Sequence, residues 1–336
     1  MAVADQIMAS DYAIYNADCV EVVADMADRS IDLSVYSPPF AGLFQYSGDE
    51  RDFSNNYTFD GFYKQYGFLI NHIHRITKAG RITAVHCMDI PMGSDGSYHD
   101  LPGKIIALHE AAGFQFMGRI LKWNEPLAVR LRTMVKSLAH RTICDDSTRS
   151  SVAGGDYILF FRKAGDNLTP VSHENGFLRY FGSDTLPSEC LQYRGMVGDQ
   201  KKNRFSQNVW RRYASSAWMD IRNSNSIICG DGLKARAVVD DGEAREPDDV
   251  KHVHPLFLDI IHRCVALYSN PGEVVLTPFM GVGSEVYSAV YNGRKGIGIE
   301  LKGSYYRQAA KNIAKAQSDA VSDMEGDLIT SMMGSK

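Results

Sequence analysis

An α/β fold, a doubly wound and mostly parallel sheet, is predicted for this chain of 336 residues on three observations. Short apolar runs alternate with segments of helical apolar spacing, the pattern of strand–helix–strand units. One apolar run stops at Pro38-Pro39. Another runs into a glycine-containing turn that opens a helix.

The elements follow in order. Residues 12–19 (YAIYNADC) read as a strand, and EVVADMADR after them as helical. Residues 30–40 (SIDLSVYSPPF) read as a buried strand that the prolines end, because proline gives no N–H to a ladder. Residues 59–80 have helical spacing, with Gly80 as the C-terminal signal. Residues 81–87 are then a strand, 101–114 a helix, 116–123 a strand, and 156–163 (DYILFFRK) a strand of buried type. From 164 to 250 the chain is rich in Gly, Ser, Asn and charge, which reads as loops and short elements added to a core. Residues 255–272 return to helical periodicity and stop at Asn270-Pro271-Gly272. A strand at 273–279, a turn and helix at 280–293, a strand at 295–301 and a helix at 304–317 follow. The expected organisation is a sheet domain in two halves, 1–163 and 251–317, with 164–250 inserted and a flexible tail at 318–336.

Composition excludes several classes. Hydrophobic residues at 44% and charged residues at 23% do not describe a disordered or collagen-like chain. The 36 basic and 40 acidic residues leave a net charge of -4, which excludes a binder whose global charge holds nucleic acid. No apolar run reaches the roughly 18 residues that span a bilayer, so no membrane partner is expected. The first residues lack the basic and apolar stretches of a signal peptide. The cysteines form no CxxC pair, which favours a reducing cytoplasm over a disulfide framework. The pairs His72/His74 and His252/His254 have no cysteine partners at zinc spacing, so no metal is expected.

Two segments carry chemistry. In EVVLTPFMGVGSEVYSAVYNGRKGIGIEL, Gly281 and Gly283 would let the backbone approach a ligand beyond the strand ends. Glu300, ending the next strand, can accept hydrogen bonds from two ribose hydroxyls. The third small residue of a dinucleotide fingerprint is missing, so an adenosine ligand without a pyrophosphate fits better. In the second segment, Ser37-Pro38-Pro39-Phe40, a hydroxyl, a carbonyl and an aromatic face follow a buried strand. Those groups can hold a planar base with an exocyclic amine. Hydrogen bonds from the NH2 to Ser37 Oγ and the Pro38 carbonyl would favour a tetrahedral, nucleophilic nitrogen. Phe40 could stack on the base.

Ser37-Pro38-Pro39-Phe40 resembles the (D/N/S)-PP-(Y/F) motif of DNA amino-methyltransferases. TPFMGVG resembles their cofactor motif DPFxGxG, and GIGIEL resembles the strand with their ribose-binding acid. The catalytic motif precedes the cofactor motif, the circularly permuted order of the β class, which methylates N4 of cytosine or N6 of adenine. NADC (16–19) resembles the segment before the catalytic strand, residues 254–279 the helix over the methionine end of the cofactor, and residues 208–221 a segment of stand-alone phage and prophage enzymes. The resemblance covers residues 12–317, and it implies that the insertion at 164–250 serves target recognition. It implies a cytoplasmic, bacterial or phage-encoded enzyme with S-adenosylmethionine as cofactor. Asp18, Thr277, Phe279, Gly281, Gly283 and Glu300 would hold the cofactor, and Ser37, Pro38, Pro39 and Phe40 would act on the base. Thr277 stands where the family commonly has Asp, and Phe40 replaces the commoner Tyr. Ser at the first motif position leans the target towards cytosine N4, with adenine N6 as the alternative.

Double-stranded DNA is the implied partner, and a homodimer is compatible with the chain. Residues 119–149 hold Arg119, Lys122, Arg130, Arg132, Lys136, Arg141 and Arg149 against three acids. Residues 200–222 hold Lys201, Lys202, Arg204, Arg211, Arg212 and Arg222 against Asp220 alone. Trp123, Phe205, Trp210, Tyr213 and Trp218 are interleaved with them. Basic and aromatic residues together suit phosphate contact and support of a flipped base. Arg130, Arg132, Lys136, Arg141, Lys201, Lys202, Arg204, Arg211 and Arg212 are the candidate contacts. The tryptophans could equally be local core. An NAD-type oxidoreductase would explain the glycines and Glu300 but not Ser37-Pro38-Pro39-Phe40, and that intact motif argues against an inactive DNA-binding relative.

Overall fold

The computed structural model describes residues 3–39, 49–56, 58–92, 96–182, 203–222, 239 and 255–323. Phe40, Lys201, Lys202, His252, His254 and much of the expected insertion lie outside the described residues, as does the side chain of Arg132.

Among the described residues, nine strands form one sheet. Their order is β1 (Asp5–Met8), β2 (Tyr12–Asn16), β11 (Lys295–Glu300), β10 (Val274–Thr277), β3 (Ile31–Tyr36), β4 (Thr77–Met88), β8 (Asp156–Lys163), β7 (Phe114–Lys122) and β9 (Ala217–Trp218). From β2 to β4 the strands are parallel. β8 is antiparallel to both β4 and β7, and β1 closes the other edge antiparallel to β2. A separate hairpin pairs β5 (Ile90–Met92) with β6 (Ser97–His99).

β3 sits in mid-sheet because all six of its residues are buried, as parallel strands covered on both faces require. Its one charge, Asp32, meets Lys78 Nζ at 2.6 Å and Arg81 at 3.4 Å and accepts the Val274 N–H at 3.0 Å. That carboxylate ties the starts of β3, β4 and β10 together.

Helices cover both faces. α1 (Cys19–Asp25), α2 (Phe59–Ile76) and α3 (Leu101–Ala111) pack on one face, against Leu159, Phe161 and Leu276. α6 (Arg204–Tyr213), α7 (Leu258–Tyr268), α8 (Ser284–Tyr291) and α9 (Gly303–Ile313) pack on the other, against Ile158, Phe160 and Val275. The strict alternation along β8 and β10 is the period of two that puts successive side chains on opposite faces. Two short helices, α4 (Pro126–Thr133) and α5 (His140–Asp145), lie between β7 and β8.

Several boundaries differ from expectation. α2 ends at Ile76, not at Gly80, because Thr77 is already extended and pairs with Ile31 in the sheet. Lys163 Nζ caps the helix end by donating to the carbonyls of His74, Arg75 and Thr77 at 2.7, 3.1 and 2.8 Å. Gly80, with φ of 73°, instead sits where the β3–β4 register shifts. The inserted region is not all appended loop: Phe205, Val209, Tyr213 and Trp218 belong to the main core. Ordered packing also extends past 317. Residues 316–323 are helical, and Tyr287 and Tyr291 donate to Asp319 at 2.9 Å and Asp323 at 2.7 Å.

Candidate active site

β10 and β3 are neighbours whose connections leave in opposite directions, through α8 to β11 and through α2 to β4. Ligands of open α/β sheets bind in the crevice beyond such a switch point. A cleft lies there. Ser37, Pro38 and Pro39 line it from β3, Phe279 and Gly281 from β10, Asp18 from β2, and Glu300 and Lys302 from β11. The sequence motifs, far apart in the chain, therefore meet at one place.

On one side Glu300 is held by the backbone. Its carboxylate accepts the N–H of Gly281 and the N–H of Lys302, each at 2.8 Å. Burial pushes its pKa up to about 7, against the pull of those two amides. A carboxylate has about four acceptor sites, so two remain for a vicinal diol. Gly281 has φ of 53°, and a Cβ there would meet nothing within 4 Å. The turn thus leaves an open approach to the backbone beside Glu300. These features fit the ribose of an adenosine cofactor.

The other expected cofactor residues divide. Phe279 lines the cleft and meets Phe53 edge-on at 5.3 Å and Tyr36 at 5.9 Å. Asp18 lines it too, while its Oδ1 caps α1 by accepting the Val20 N–H at 2.7 Å. Gly283 is a packing residue: with φ of 94°, its Cβ would stand 3.0 Å from that of Ala309 on α9. Thr277 is buried and its hydroxyl has no hydrogen-bond partner among the described residues. Neither Gly283 nor Thr277 lines the cleft.

On the other side, Ser37 follows β3 directly. Its Oγ is 3.3 Å from Nδ1 of His86, which lies on β4. On the opposite face of the sheet, burial raises the hydroxyl pKa values of Tyr36 and Tyr66 and lowers the imidazole pKa of His109 to about 4, so this aromatic cluster is neutral.

Sequence reasoning missed Glu285, His86 and Phe53. Glu285 lines the cleft from the first turn of α8. It is 4% exposed, and burial, with a smaller push from Glu300, raises it to about 8. An acid at a helix start reads as dipole compensation, so only its burial marks it out.

The two basic segments are neighbours in space. Leu121 and Lys122 pair with Ala217 and Trp218 at the β7–β9 edge, and Trp123 N–H donates to the Trp218 carbonyl at 3.0 Å. Their charges are not equivalent. Lys122 is buried beside Asp156, Arg222 pairs with Asp259, and Arg212 lies 3.6 Å from Asp220. Lys136, Arg141, Arg204 and Arg211 are exposed, and Arg130 is half-buried. Trp123 and Trp210 face solvent, whereas Trp218, Phe205 and Tyr213 are core.

Among the described residues no helix is long and apolar enough to cross a membrane. A family model described as DNA methylase, covering N6 and N4 methyltransferases, matches residues 31–311. The type II methyltransferase M.ScaI of Streptomyces caespitosus is 22% identical over 311 residues, 92% of this chain and 84% of that protein. M.BglII of Bacillus subtilis is 23% identical over 295 residues, 87% of this chain and 66% of that protein. Solved structures share the fold. A protein from Thermus thermophilus, described as a DNA modification methylase and complexed with S-adenosyl-L-methionine, aligns with a TM-score of 0.56 at 19% identity, covering 91% of this chain and 95% of that one. The cytosine-N4-specific PvuII DNA methyltransferase aligns with a TM-score of 0.57 at 13% identity, covering 93% and 90%. The oxidoreductase reading falls with the family match. The chain belongs to the DNA methylase family of N6 and N4 methyltransferases, and it is a DNA methyltransferase that uses S-adenosylmethionine.

Proposed function

We propose that the protein methylates N4 of cytosine in double-stranded DNA, with the target base turned out of the helix into the cleft. One observation carries this reading. Ser37, a hydroxyl residue and not an acid or amide, follows β3 at the cleft, with its Oγ 3.3 Å from a histidine nitrogen.

Ser37 Oγ and the Pro38 carbonyl accept the two N–H groups of the target amine. Both contacts favour a pyramidal nitrogen over the planar, conjugated one and aim its lone pair across the cleft. Pro39 gives no N–H that could extend the β3 ladder into the cleft. S-adenosylmethionine, when bound, supplies an electrophilic methyl group on a sulfonium. Glu300 accepts the ribose hydroxyls, Gly281 gives close access to the backbone, and Phe279 with Phe53 keeps water from the centre. Asp18, already a helix cap, presents its second oxygen to the same cleft. Thr277 and Gly283 shape the turn from behind. Exposed Lys136, Arg141, Arg204 and Arg211, with Trp123 and Trp210, form the DNA-facing edge.

Nucleoside mass spectrometry of DNA from cells expressing the protein tests the target. N4-methylcytosine is expected, and it is expected to vanish with Ser37→Ala. N6-methyladenine in its place overturns the cytosine reading, and no methyl transfer by purified protein that still binds DNA and cofactor marks an inactive DNA-binding relative.

A further inference from the structure

Four polar side chains stand in a row across four adjacent strands, β3, β4, β8 and β7. Ser37 follows β3, His86 lies on β4, Asp156 opens β8 and Lys122 ends β7. Register puts them there. Tyr36 pairs with Val85, so Ser37 and His86 come next side by side. Met88 and Lys122 both lie opposite Asp156. His86 Nδ1 is 3.3 Å from Ser37 Oγ, and its Nε2 is 4.0 Å from Asp156 Oδ2. Lys122 Nζ is 3.5 Å from the same carboxylate oxygen and donates to Asn124 Oδ1 at 2.6 Å. Asp156 and Lys122 are each 2% exposed. Phe257, at the start of α7, closes the row, with Lys122 Nζ 4.3 Å from its ring centre.

We propose that His86 is a positioning residue that orients the Ser37 hydroxyl and takes up the proton released by the target amine, with Asp156 supporting its charge. The proposal rests on the reading of Ser37 as an amine acceptor. A Lys–Asp pair alone would close a sheet edge; an imidazole between that pair and the base-binding loop adds a path for a proton.

The tautomer follows from the charges. A carboxylate facing Nε2 favours a hydrogen there, which leaves the Nδ1 lone pair towards Ser37. Ser37 then donates to His86, and its own lone pairs turn to the cleft, where the amine donates to them. The opposite tautomer would set a nitrogen lone pair against a carboxylate and occupy Ser37 Oγ as an acceptor. A separation of 4.0 Å is too long for a direct hydrogen bond, so Asp156 acts through its charge. Lys122 balances that charge from behind.

The proton count closes. The amine lone pair forms the N–CH3 bond while the pair of the S–CH3 bond stays on sulfur. The cationic nitrogen must lose one proton. Ser37 Oγ takes it as the hydroxyl proton passes to His86 Nδ1. The imidazolium then lies against Asp156 until water receives the proton.

Two measurements decide. Nitrogen-15 NMR of histidine-labelled protein, with His86 assigned by its loss in His86→Gln, should show the Nε2–H tautomer and an Nδ1 signal that shifts in Ser37→Ala. An Nδ1–H tautomer overturns the relay, and where His86→Gln does not fold, His86→Asn makes the assignment. Single-turnover transfer of labelled methyl to unmethylated duplex DNA of mixed sequence should slow by about 100-fold in His86→Gln, the size of a general-base contribution. Wild type should lose rate towards acid pH as a histidine protonates, and the variant should not; added imidazole should restore part of its rate, and its affinity for S-adenosylmethionine should match wild type. An unchanged acid limb, or a loss of cofactor affinity matching the loss of rate, overturns the relay. A wild-type protein that transfers no methyl overturns the reading of Ser37 instead, whichever tautomer His86 shows.

Discussion

The two sides of the cleft hold their polar groups by different means. On the side proposed for the cofactor, Glu300 is fixed by backbone amides of Gly281 and Lys302, all within one strand–turn–helix–strand unit. On the side proposed for the base, Ser37, His86, Asp156 and Lys122 come from four strands and are related through side chains. A backbone cradle depends on chain geometry and tolerates changes in the side chains around it. A side-chain row depends on each of its members. Binding of cofactor and reaction of the base should therefore fail separately.

The largest expected effect tests that separation directly. Ser37→Ala should lower single-turnover methyl transfer by about 100- to 1000-fold, the loss typical of one hydrogen-bond partner at a reacting centre. Its affinity for S-adenosylmethionine, measured by calorimetry, should stay close to wild type. Glu300→Ala should do the reverse. Losing hydrogen bonds to a charged acceptor is worth about 1.5–3 kcal/mol, or roughly 10- to 100-fold in cofactor affinity. At saturating cofactor most of the rate should return. Equal loss of affinity in both variants would break the comparison.

The next effect sharpens it, because Glu285 belongs to the cofactor side by place but is not held by the cradle. Its pKa is raised to about 8 by burial and then by the charge of Glu300. A raised carboxylate pKa means that the folded state keeps a proton that the unfolded state has lost. Below the unfolded value, about 4.3, both states are protonated and there is no penalty. Between that value and about 8, stability falls as pH rises, by at most about 1.4 kcal/mol per pH unit. Glu285→Gln removes the penalty. Urea unfolding should find the variant more stable than wild type, by a margin that widens from pH 5 to pH 8 and then levels. A margin that does not change with pH would mean that Glu285 is ionised in the fold.

The same division explains what could be read from the amino-acid order. Gly281 and Glu300 were legible because their cradle is contiguous. Ser37-Pro38-Pro39 was legible because the prolines end a buried strand in place. His86 was not: in RITAVHC it is one residue of a strand, and only the β3–β4 register sets it beside Ser37. Thr277 sits inside the cofactor motif, yet it is buried at the end of β10 and does not line the cleft. The aromatic residues of the second basic segment were misleading in part. Phe205, Val209 and Tyr213 recur every four residues, a core stripe on α6, while Trp210 lies off that stripe and is exposed. Counting charges could not separate Lys122 from Arg211, because partners across the sheet decide which of them is neutralised.

The smallest expected effect concerns those charges, and it extends the comparison to salt. Each Lys or Arg that neutralises a phosphate releases condensed counterions and contributes about 0.9 to the slope of log affinity against log salt. Arg204 and Arg211 are exposed on α6, so Arg204→Ala and Arg211→Ala should each lower that slope by about one unit on mixed-sequence duplex DNA. Lys122, in the same basic segments by count, is 2% exposed and already paired with Asp156, so it has no phosphate to neutralise and no counterion to release. Cofactor binding should hardly respond to salt if, as proposed, a neutral ribose diol meets Glu300 at short range, where screening is weak. If Arg211→Ala left the slope unchanged, the DNA-facing edge would have to lie elsewhere, and β7–β9 would be only the end of the sheet.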